Sequence, residues 1–132
     1  MMARLGIICV ALLSAISTGW LAPIARAAES ITYEVASPDL SVEIVGSIEY
    51  FDGTRRIMLQ NVTLPWRTTV QVAKPASLGT DGAEVRANWY TGQLNKFVMV
   101  RIYFGDTVRC ENALDLGNAA CYGSTPFSTA VD

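Results

Sequence analysis

The chain of 132 residues contains no histidine, and its basic residues are few and scattered. Without imidazole it has no Ser-His-Asp or Cys-His nucleophile pair, axial haem histidine or histidine-containing zinc site. Lys and Arg total 10 against 12 Asp and Glu, and only Arg55 and Arg56 are adjacent. Because no basic patch is present to release counterions from phosphates, we expect no nucleic-acid partner.

Recognisable cofactor motifs are also missing. Gly79 and Gly82 are not followed by the Lys-Ser/Thr of a phosphate loop, and the aspartates of the turn-rich segments lack the alternation of a calcium loop. Asp106, Glu111 and Asp115 are the carboxylates that an acid/base pair would use, but nothing in the sequence places two of them in one cleft. We therefore expect no cofactor, no metal and no enzymatic activity.

The N-terminus has the three parts of an export signal. A short basic start precedes an apolar run over residues 5–24, and Ala25 and Ala27 form an Ala-x-Ala cleavage site. Cleavage after Ala27 is our preferred interpretation, although a run of 20 residues is also long enough to be kept as a membrane anchor. The chain thus divides into a leader, 1–27, and an exported domain, 28–132. That domain has eight Lys and Arg against twelve Asp and Glu, a formal charge of −4.

Two cysteines remain once the leader, with Cys9, is removed. In an oxidising compartment Cys110 and Cys121 should pair, since no CxxC spacing or imidazole supports a redox or metal site instead. Ten residues lie between them, and closing such a loop stabilises a fold by about 3 kcal/mol in the chain-entropy model. Because they are so close in sequence, we do not expect this bridge to join two sheets.

The exported domain is predicted to be all-β. Strand-like segments alternate with turn signals, among them Asp52-Gly53 as a hairpin and 74–82 as the longest loop. The segments are residues 31–35, 41–44, 48–51, 55–59, 67–72, 84–90, 96–104 and 107–110. Residues 119–122 follow a small, polar stretch and are pinned by the predicted bridge. Short strands at this spacing predict an antiparallel β-sandwich of about seven strands, with an immunoglobulin-like arrangement. Residues 97–104 are apolar on both faces, which favours a central strand; the alternative is an exposed edge used for dimerisation.

Four pieces of the sequence carry a family resemblance: Ile31–Val35, Thr63–Trp66, Arg101–Ile102 and Cys121. In this order and spacing the chain resembles the MmpS family, mycobacterial small membrane proteins that are accessory subunits of MmpL lipid and siderophore transporters. The resemblance implies an exported all-β domain that docks on a membrane transporter or on its lipidic cargo, without catalytic residues. A cleaved leader would make the chain a secreted relative, a binding module with no transporter partner.

Aromatic side chains are the candidates for a partner surface. Trp89 falls on the apolar face of an alternating strand and is predicted to lie in the core. Tyr90, Tyr103 and Trp66 are the remaining candidates for contact with a transporter, a lipid or a second copy of the chain.

Overall fold

The structure, a computed structural model, describes residues 27–89, 96–114 and 117–126. Eight strands lie in these ranges, all paired antiparallel. Their bounds are β1 Glu29–Ala36, β2 Ile44–Phe51, β3 Arg56–Thr63, β4 Trp66–Val72, β5 Glu84–Asn88, β6 Val98–Phe104, β7 Thr107–Leu114 and β8 Asn118–Tyr122. The predicted leader lies outside the described residues apart from Ala27, as do Tyr90 and Asp115.

Two sheets of four strands pack face to face, which confirms the predicted β-sandwich with one strand more than expected. Sheet A has the order β4-β1-β6-β7, and sheet B has the order β3-β2-β5-β8. The inward positions of both sheets supply fully buried aliphatic side chains, and Tyr33 is the largest fully buried residue among those described. Trp89, 4% exposed, belongs to this core as predicted.

Strand β6 is internal to sheet A, because it pairs with β1 on one side and with β7 on the other. Its apolar sequence on both faces therefore reflects a central position, and the alternative of an exposed edge at 97–104 is wrong. The unpaired edges among the described strands belong to β3, β4, β7 and β8.

The predicted hairpin at Asp52-Gly53 is confirmed. Asp52 Oδ1 accepts hydrogen bonds from the Thr54 and Arg55 amides, both at 2.8 Å, and Gly53 has a φ of 101°. A Cβ on Gly53 would also clash with the Gln71 carbonyl oxygen, so this turn needs glycine for its conformation and for its space. These amide hydrogen bonds lower the pKa of Asp52, with the Arg55 amide as the larger contribution.

The predicted strand at 41–44 is wrong, because residues 37–43 form a loop and β2 begins at Ile44. The side chains of Ser37 and Asp39 accept hydrogen bonds from backbone amides of the loop. These side-chain acceptors replace the backbone partners that the amides would have in a strand. The predicted segments 41–44 and 48–51 left Gly46 between two strands, but it lies inside β2. The register with β3 is the same on both sides of Gly46, opposite Asn61 of positive φ, and a Cβ on Gly46 would meet Asn88 O at 3.3 Å.

The connections define two ends of the sandwich. The loop 37–43, the Leu64–Pro65 corner and Phe97 lie at one end, which we call the apolar end. The hairpin loop 52–55, the loop 73–83 and the Gly105–Asp106 turn lie at the opposite end, together with Ala27. A chain leaving Ala27 for β1 therefore enters the domain far from the apolar end.

Candidate functional site: a cavity at the apolar end

The loop 37–43 is held in one conformation by its own side chains. Asp39 Oδ1 accepts hydrogen bonds from the Ser41 amide at 3.1 Å and the Ser41 hydroxyl at 2.6 Å. Ser37 Oγ accepts from the Val42 amide at 3.2 Å and donates to the Phe97 carbonyl at 2.8 Å. The loop is thus tied both to itself and to the chain entering β6.

Leu40 stands at the tip of this loop in an unfavourable state. Its side chain is 81% exposed, and its φ of 58° is in the left-handed region, which L-residues other than Asn and Asp seldom occupy. That conformation costs about 1–2 kcal/mol. A strained backbone that holds an apolar side chain in water is typical of a functional position.

A cavity of about 320 Å³ opens beside Leu40. Its lining is mainly apolar and is made of Ala36, Ser37, Leu40, Val42, Glu43, Leu64 and Pro65. The Leu64 amide donates to the Glu43 carbonyl at 2.8 Å, which fixes the Leu64–Pro65 corner against the loop. The cavity lies where the chain crosses from β3 in sheet B to β4 in sheet A.

The apolar end carries two carboxylates, on Glu43 and Asp39, and the ammonium group of Lys96 next to Phe97. Glu43 is the one ionisable side chain in the described cavity lining, and Asp39 lies in the loop behind it. The Ser41 hydroxyl and then the Ser41 amide hydrogen-bond the Asp39 carboxylate and lower its pKa. Ionised Asp39 therefore keeps the loop that presents Leu40 in place at neutral pH.

A second cavity, of about 330 Å³, lies at the opposite end. It is more polar, and its walls include Arg56, Glu84, Tyr122 and the loop 77–82. The side chain of Glu84 is only 9% exposed and forms ion pairs with Arg56 and with Arg86, the latter at 3.1 Å. Both carboxylate oxygens of Glu84 are occupied, one by Arg56 of β3, and Arg86 also donates to the Tyr122 hydroxyl of β8 at 3.0 Å. We therefore assign Glu84 a structural role.

Tyr33 connects the two sheets through its hydroxyl. The hydroxyl donates to Phe51 O at 2.7 Å and accepts from the Glu84 amide at 3.3 Å. Burial raises the pKa of Tyr33, so the hydroxyl stays protonated and can donate at any physiological pH. The sequence places Tyr33 in an alternating strand but does not indicate this pair of contacts.

The predicted disulfide is present. Cys110 and Cys121 have sulfurs 2.08 Å apart and Cα atoms 5.7 Å apart, which is normal disulfide geometry. The expectation that it would not join two sheets is wrong, because β7 belongs to sheet A and β8 to sheet B. The two strands are consecutive and form neighbouring edges of the sandwich, so a short loop is enough to span from one sheet to the other.

The predicted surface aromatics do not form one patch. Trp66 faces inward from β4 and packs on Tyr50, with ring centroids 5.3 Å apart. Tyr103 is on the outer face of β6, where its hydroxyl donates to Glu34 at 3.0 Å and Arg67 lies over its ring. The two candidates lie on opposite faces of sheet A, and Tyr90 is outside the described residues.

The candidate carboxylates are also separate. Glu111 accepts a hydrogen bond from Arg101 at 2.7 Å on the outer face of sheet A, whereas Asp106 lies in the β6–β7 turn. In ranges 27–89, 96–114 and 117–126 no group of three or more potential metal ligands comes together. The same ranges hold no helix that is long and apolar enough to span a membrane.

Sequence reasoning missed Leu40 and its cavity. The signals available were Pro38-Asp39, which mark a turn, and an apolar residue directly after it. Exposure and positive φ at Leu40 are properties of the folded loop.

The chain matches no protein-family model, and no curated protein matches it significantly.

Proposed function

We propose that this chain is a non-catalytic binding protein of the cell envelope, an MmpS-like accessory of lipid or siderophore export. In this proposal the cavity at the apolar end receives the acyl part of a lipidic cargo. The observation that carries it is Leu40, 81% exposed and held at a φ of 58° beside an apolar cavity of about 320 Å³. An exposed leucine in a costly conformation is explained if it closes over an apolar ligand.

The position of the family-like residues supports the proposal. Thr63–Trp66 is one of the four segments that carry the resemblance to the MmpS family, and its two central residues, Leu64 and Pro65, line this cavity. One of the family-like segments thus lies at the apolar end.

Size and charge restrict the ligand. A volume of about 320 Å³ is at the lower end of the range of roughly 300–1,000 Å³ for small-molecule pockets, so one short acyl segment fits and a whole lipid does not. Glu43 in the lining and the formal charge of −4 on the exported domain oppose an anionic headgroup. A neutral or cationic amphiphile should therefore bind better than a fatty-acid anion.

The orientation of the domain suits an accessory role if the leader is retained. β1 begins at Glu29, next to the leader, and ends at Ala36, which lines the cavity. Eight strand residues span about 26 Å, at roughly 3.3 Å per residue. An anchored domain would present the apolar end away from its own anchor, where a transporter or cargo outside the bilayer can reach it.

The test is ligand binding with a neutral probe. Titration of a ten-carbon monoacylglycerol, below its critical micelle concentration, should show saturable binding that Leu40→Lys weakens at least tenfold. Leu78→Lys is the matched control, since Leu78 is also largely exposed, at 93%, but lies in the loop at the opposite end. Absence of saturable binding, or equal effects of the two lysine variants, would overturn the proposal.

The second candidate is a secreted binding module that works without a transporter. It is favoured by the Ala25-x-Ala27 cleavage site, which would release residues 28–132. N-terminal sequencing of the protein exported by its host distinguishes the two roles. A start at Ala28 or Glu29 counts against a permanently anchored subunit, and a start at Met1 or Met2 counts against the secreted module. Copurification with a membrane transporter would support the accessory role directly.

A further inference from the structure

The polar cavity, at the end of the sandwich opposite Leu40, is built on the outer face of sheet B. Glu84 of β5 and Tyr122 of β8 lie directly opposite each other in the strand register, and both line the cavity. Val85 points into the core, so its neighbour Glu84 points outward. The side chain of Glu84 is nevertheless only 9% exposed, because its arginine partners and the loop 77–82 lie over it. The loop thus converts part of a sheet face into a concave site.

The loop over this cavity is fixed by hydrogen bonds at its base and within it. The Ala83 amide donates to the Pro75 carbonyl at 2.9 Å, and the Gly123 amide donates to the Ala83 carbonyl at 2.8 Å. A Cβ on Gly123 would clash with the Pro75 carbonyl oxygen, so the loop packs directly on the backbone that follows β8. The Ser77 hydroxyl donates to the Asp81 carboxylate. A preformed site of this kind loses little ordering entropy when a ligand binds.

The charges around the cavity balance one another. Arg56 and Glu84 are the charged side chains in its described lining, and they form an ion pair. Arg56 also pairs with Glu49 at 3.3 Å, and Glu84 also pairs with Arg86 at 3.1 Å. Neither an anion nor a cation would meet an uncompensated opposite charge here, and the formal charge of −4 on the exported domain further opposes an anion. The lining therefore favours a neutral ligand.

The polar groups of the lining retain hydrogen-bonding capacity. A guanidinium has more N–H donors than the two ion pairs of Arg56 use, and this side chain is exposed. Thr80 and Ser124 add hydroxyl groups, each of which can both donate and accept. Neighbouring hydroxyl groups of a ligand need donors and acceptors side by side, because each of them is also both. The lining therefore suits a ligand with several hydroxyl groups.

Apolar surface lies beside these polar groups. Tyr122 is exposed, and Arg86 donates to its hydroxyl at 3.0 Å, which holds the ring in place. Leu78, in the same lining, is almost fully exposed. A sugar ring has hydroxyl groups around its edge and C–H groups on its faces, so it can hydrogen-bond at the edge while one face packs on an aromatic ring.

From the balanced charges, the hydroxyl groups and the exposed ring we propose that the polar cavity binds one neutral sugar ring. Its volume of about 330 Å³ is at the lower end of the range for small-molecule pockets, which suits a single ring. Tyr122 packs on a face of the sugar, and Arg56 and Ser124 hydrogen-bond its hydroxyl groups. Glu84 holds Arg56 in position. The acyl site of the proposed function lies at the opposite end of the domain, so the two proposals can fail separately.

The test is a titration of the isotope-labelled chain with the methyl glycosides of glucose, mannose, galactose and arabinose. At least one should give amide NMR shifts that saturate in the millimolar range, at Thr80, Gly82 and Tyr122 but not at Leu40. Glycerol, which has hydroxyl groups but no ring, should give no saturable shifts in that range. The methyl glycoside of glucuronic acid, which adds a carboxylate, should bind more weakly than methyl glucoside.

Each opposite result overturns the inference. Absence of saturable binding by all the glycosides shows that the cavity is not a sugar site, and shifts centred on Leu40 place the ligand at the other end. Glycerol binding as well as the glycosides contradicts the role of the ring. Tighter binding of the glucuronide contradicts the balance of charges and assigns the cavity to an anion.

Two pairs of variants separate contact with the sugar from a general loss of structure. Tyr122→Ala removes the ring and should weaken binding about tenfold, whereas Tyr122→Phe keeps it and should stay within about threefold of the parent. Ser124→Ala should weaken binding about 2- to 12-fold. Its control is Ser47→Ala, on β2 of the same sheet and outside the described lining, which should leave binding unchanged.

Thermal unfolding of each variant establishes that it is folded, and the serine pair decides the question if Tyr122→Ala does not fold. Equal losses in Tyr122→Ala and Tyr122→Phe would contradict packing of the sugar on the ring. Equal effects of the two serine substitutions would contradict the position of the ligand.

Discussion

Replacing Leu40 by glycine and by alanine tests whether its backbone is strained. Alanine keeps the left-handed conformation and its cost, and it loses only the buried fifth of the leucine side chain, about 0.3–0.6 kcal/mol. Glycine relieves about 1–2 kcal/mol of backbone cost but loses about 0.5–1 kcal/mol more conformational entropy on folding. Leu40→Gly should therefore be more stable than Leu40→Ala, by about 0.7 kcal/mol.

Leu78 provides the matched comparison. It is 93% exposed in a loop and is not among the described residues with positive φ. There glycine should be less stable than alanine by about 0.4–1 kcal/mol, so the order of the two substitutions reverses between the sites. Urea unfolding of the four oxidised variants, followed by circular dichroism, measures these differences. The same order at both positions would refute the strain at Leu40 and the functional argument built on it.

Three further predictions concern the features that hold the domain and its loop together. Removing the bridge by Cys110→Ala should cost about 3 kcal/mol of unfolding free energy in oxidised protein and little in the presence of a reductant; equal costs would show that no disulfide forms. Tyr33→Phe should cost about 1–3 kcal/mol, since it leaves a buried carbonyl and a buried amide unpaired, and a cost near zero in thermal unfolding would contradict those contacts. The pKa of Asp39 is lowered in the folded state, so its contribution is complete above its unfolded value of 3.8 and is lost as the pH falls below that value through the folded pKa. Asp39→Asn should accordingly be less stable than the parent chain at pH 6, by a margin that shrinks as the pH falls below 3.8, and a constant difference down to pH 2 would contradict the loop hydrogen bonds.

Local chemistry made some elements predictable. Asp52-Gly53 determines its hairpin because the aspartate caps the turn and the glycine takes the positive φ. The alternation through Val85, Ala87 and Trp89 predicted which face of β5 is buried, and all three are. In these cases the signal lies within a few residues of the structure that it predicts.

Long-range arrangement was not predictable in the same way. That Cys110 and Cys121 join two sheets follows from β7 and β8 being neighbouring edges, which depends on the order of all eight strands. Glu84 has the sequence position of an exposed strand residue, yet arginines from β3 and β5 make its burial possible. Such contacts join residues that are distant in sequence, and no local pattern encodes them.

The candidate site shows the same division. Pro38-Asp39 is a turn signal, and Pro65, which lacks an amide hydrogen, favours the start of a strand. Their meeting around one cavity depends on the crossing between the two sheets at Leu64–Pro65, and the position of Leu40 depends on the hydrogen bonds of Asp39. The aromatic residues of the sequence were therefore poor predictors of the binding surface. The aliphatic residue Leu40 is the stronger candidate for ligand contact.

The measurement closest to the central claim is a map of where a neutral acyl ligand binds. Amide and methyl NMR shifts should be followed while a ten-carbon monoacylglycerol is titrated into the isotope-labelled chain. The account predicts saturable shifts confined to the apolar end, at Leu40, Val42 and Leu64, with the polar cavity around Glu84 unaffected. Shifts centred on the polar cavity, or no saturable shifts at all, would contradict it.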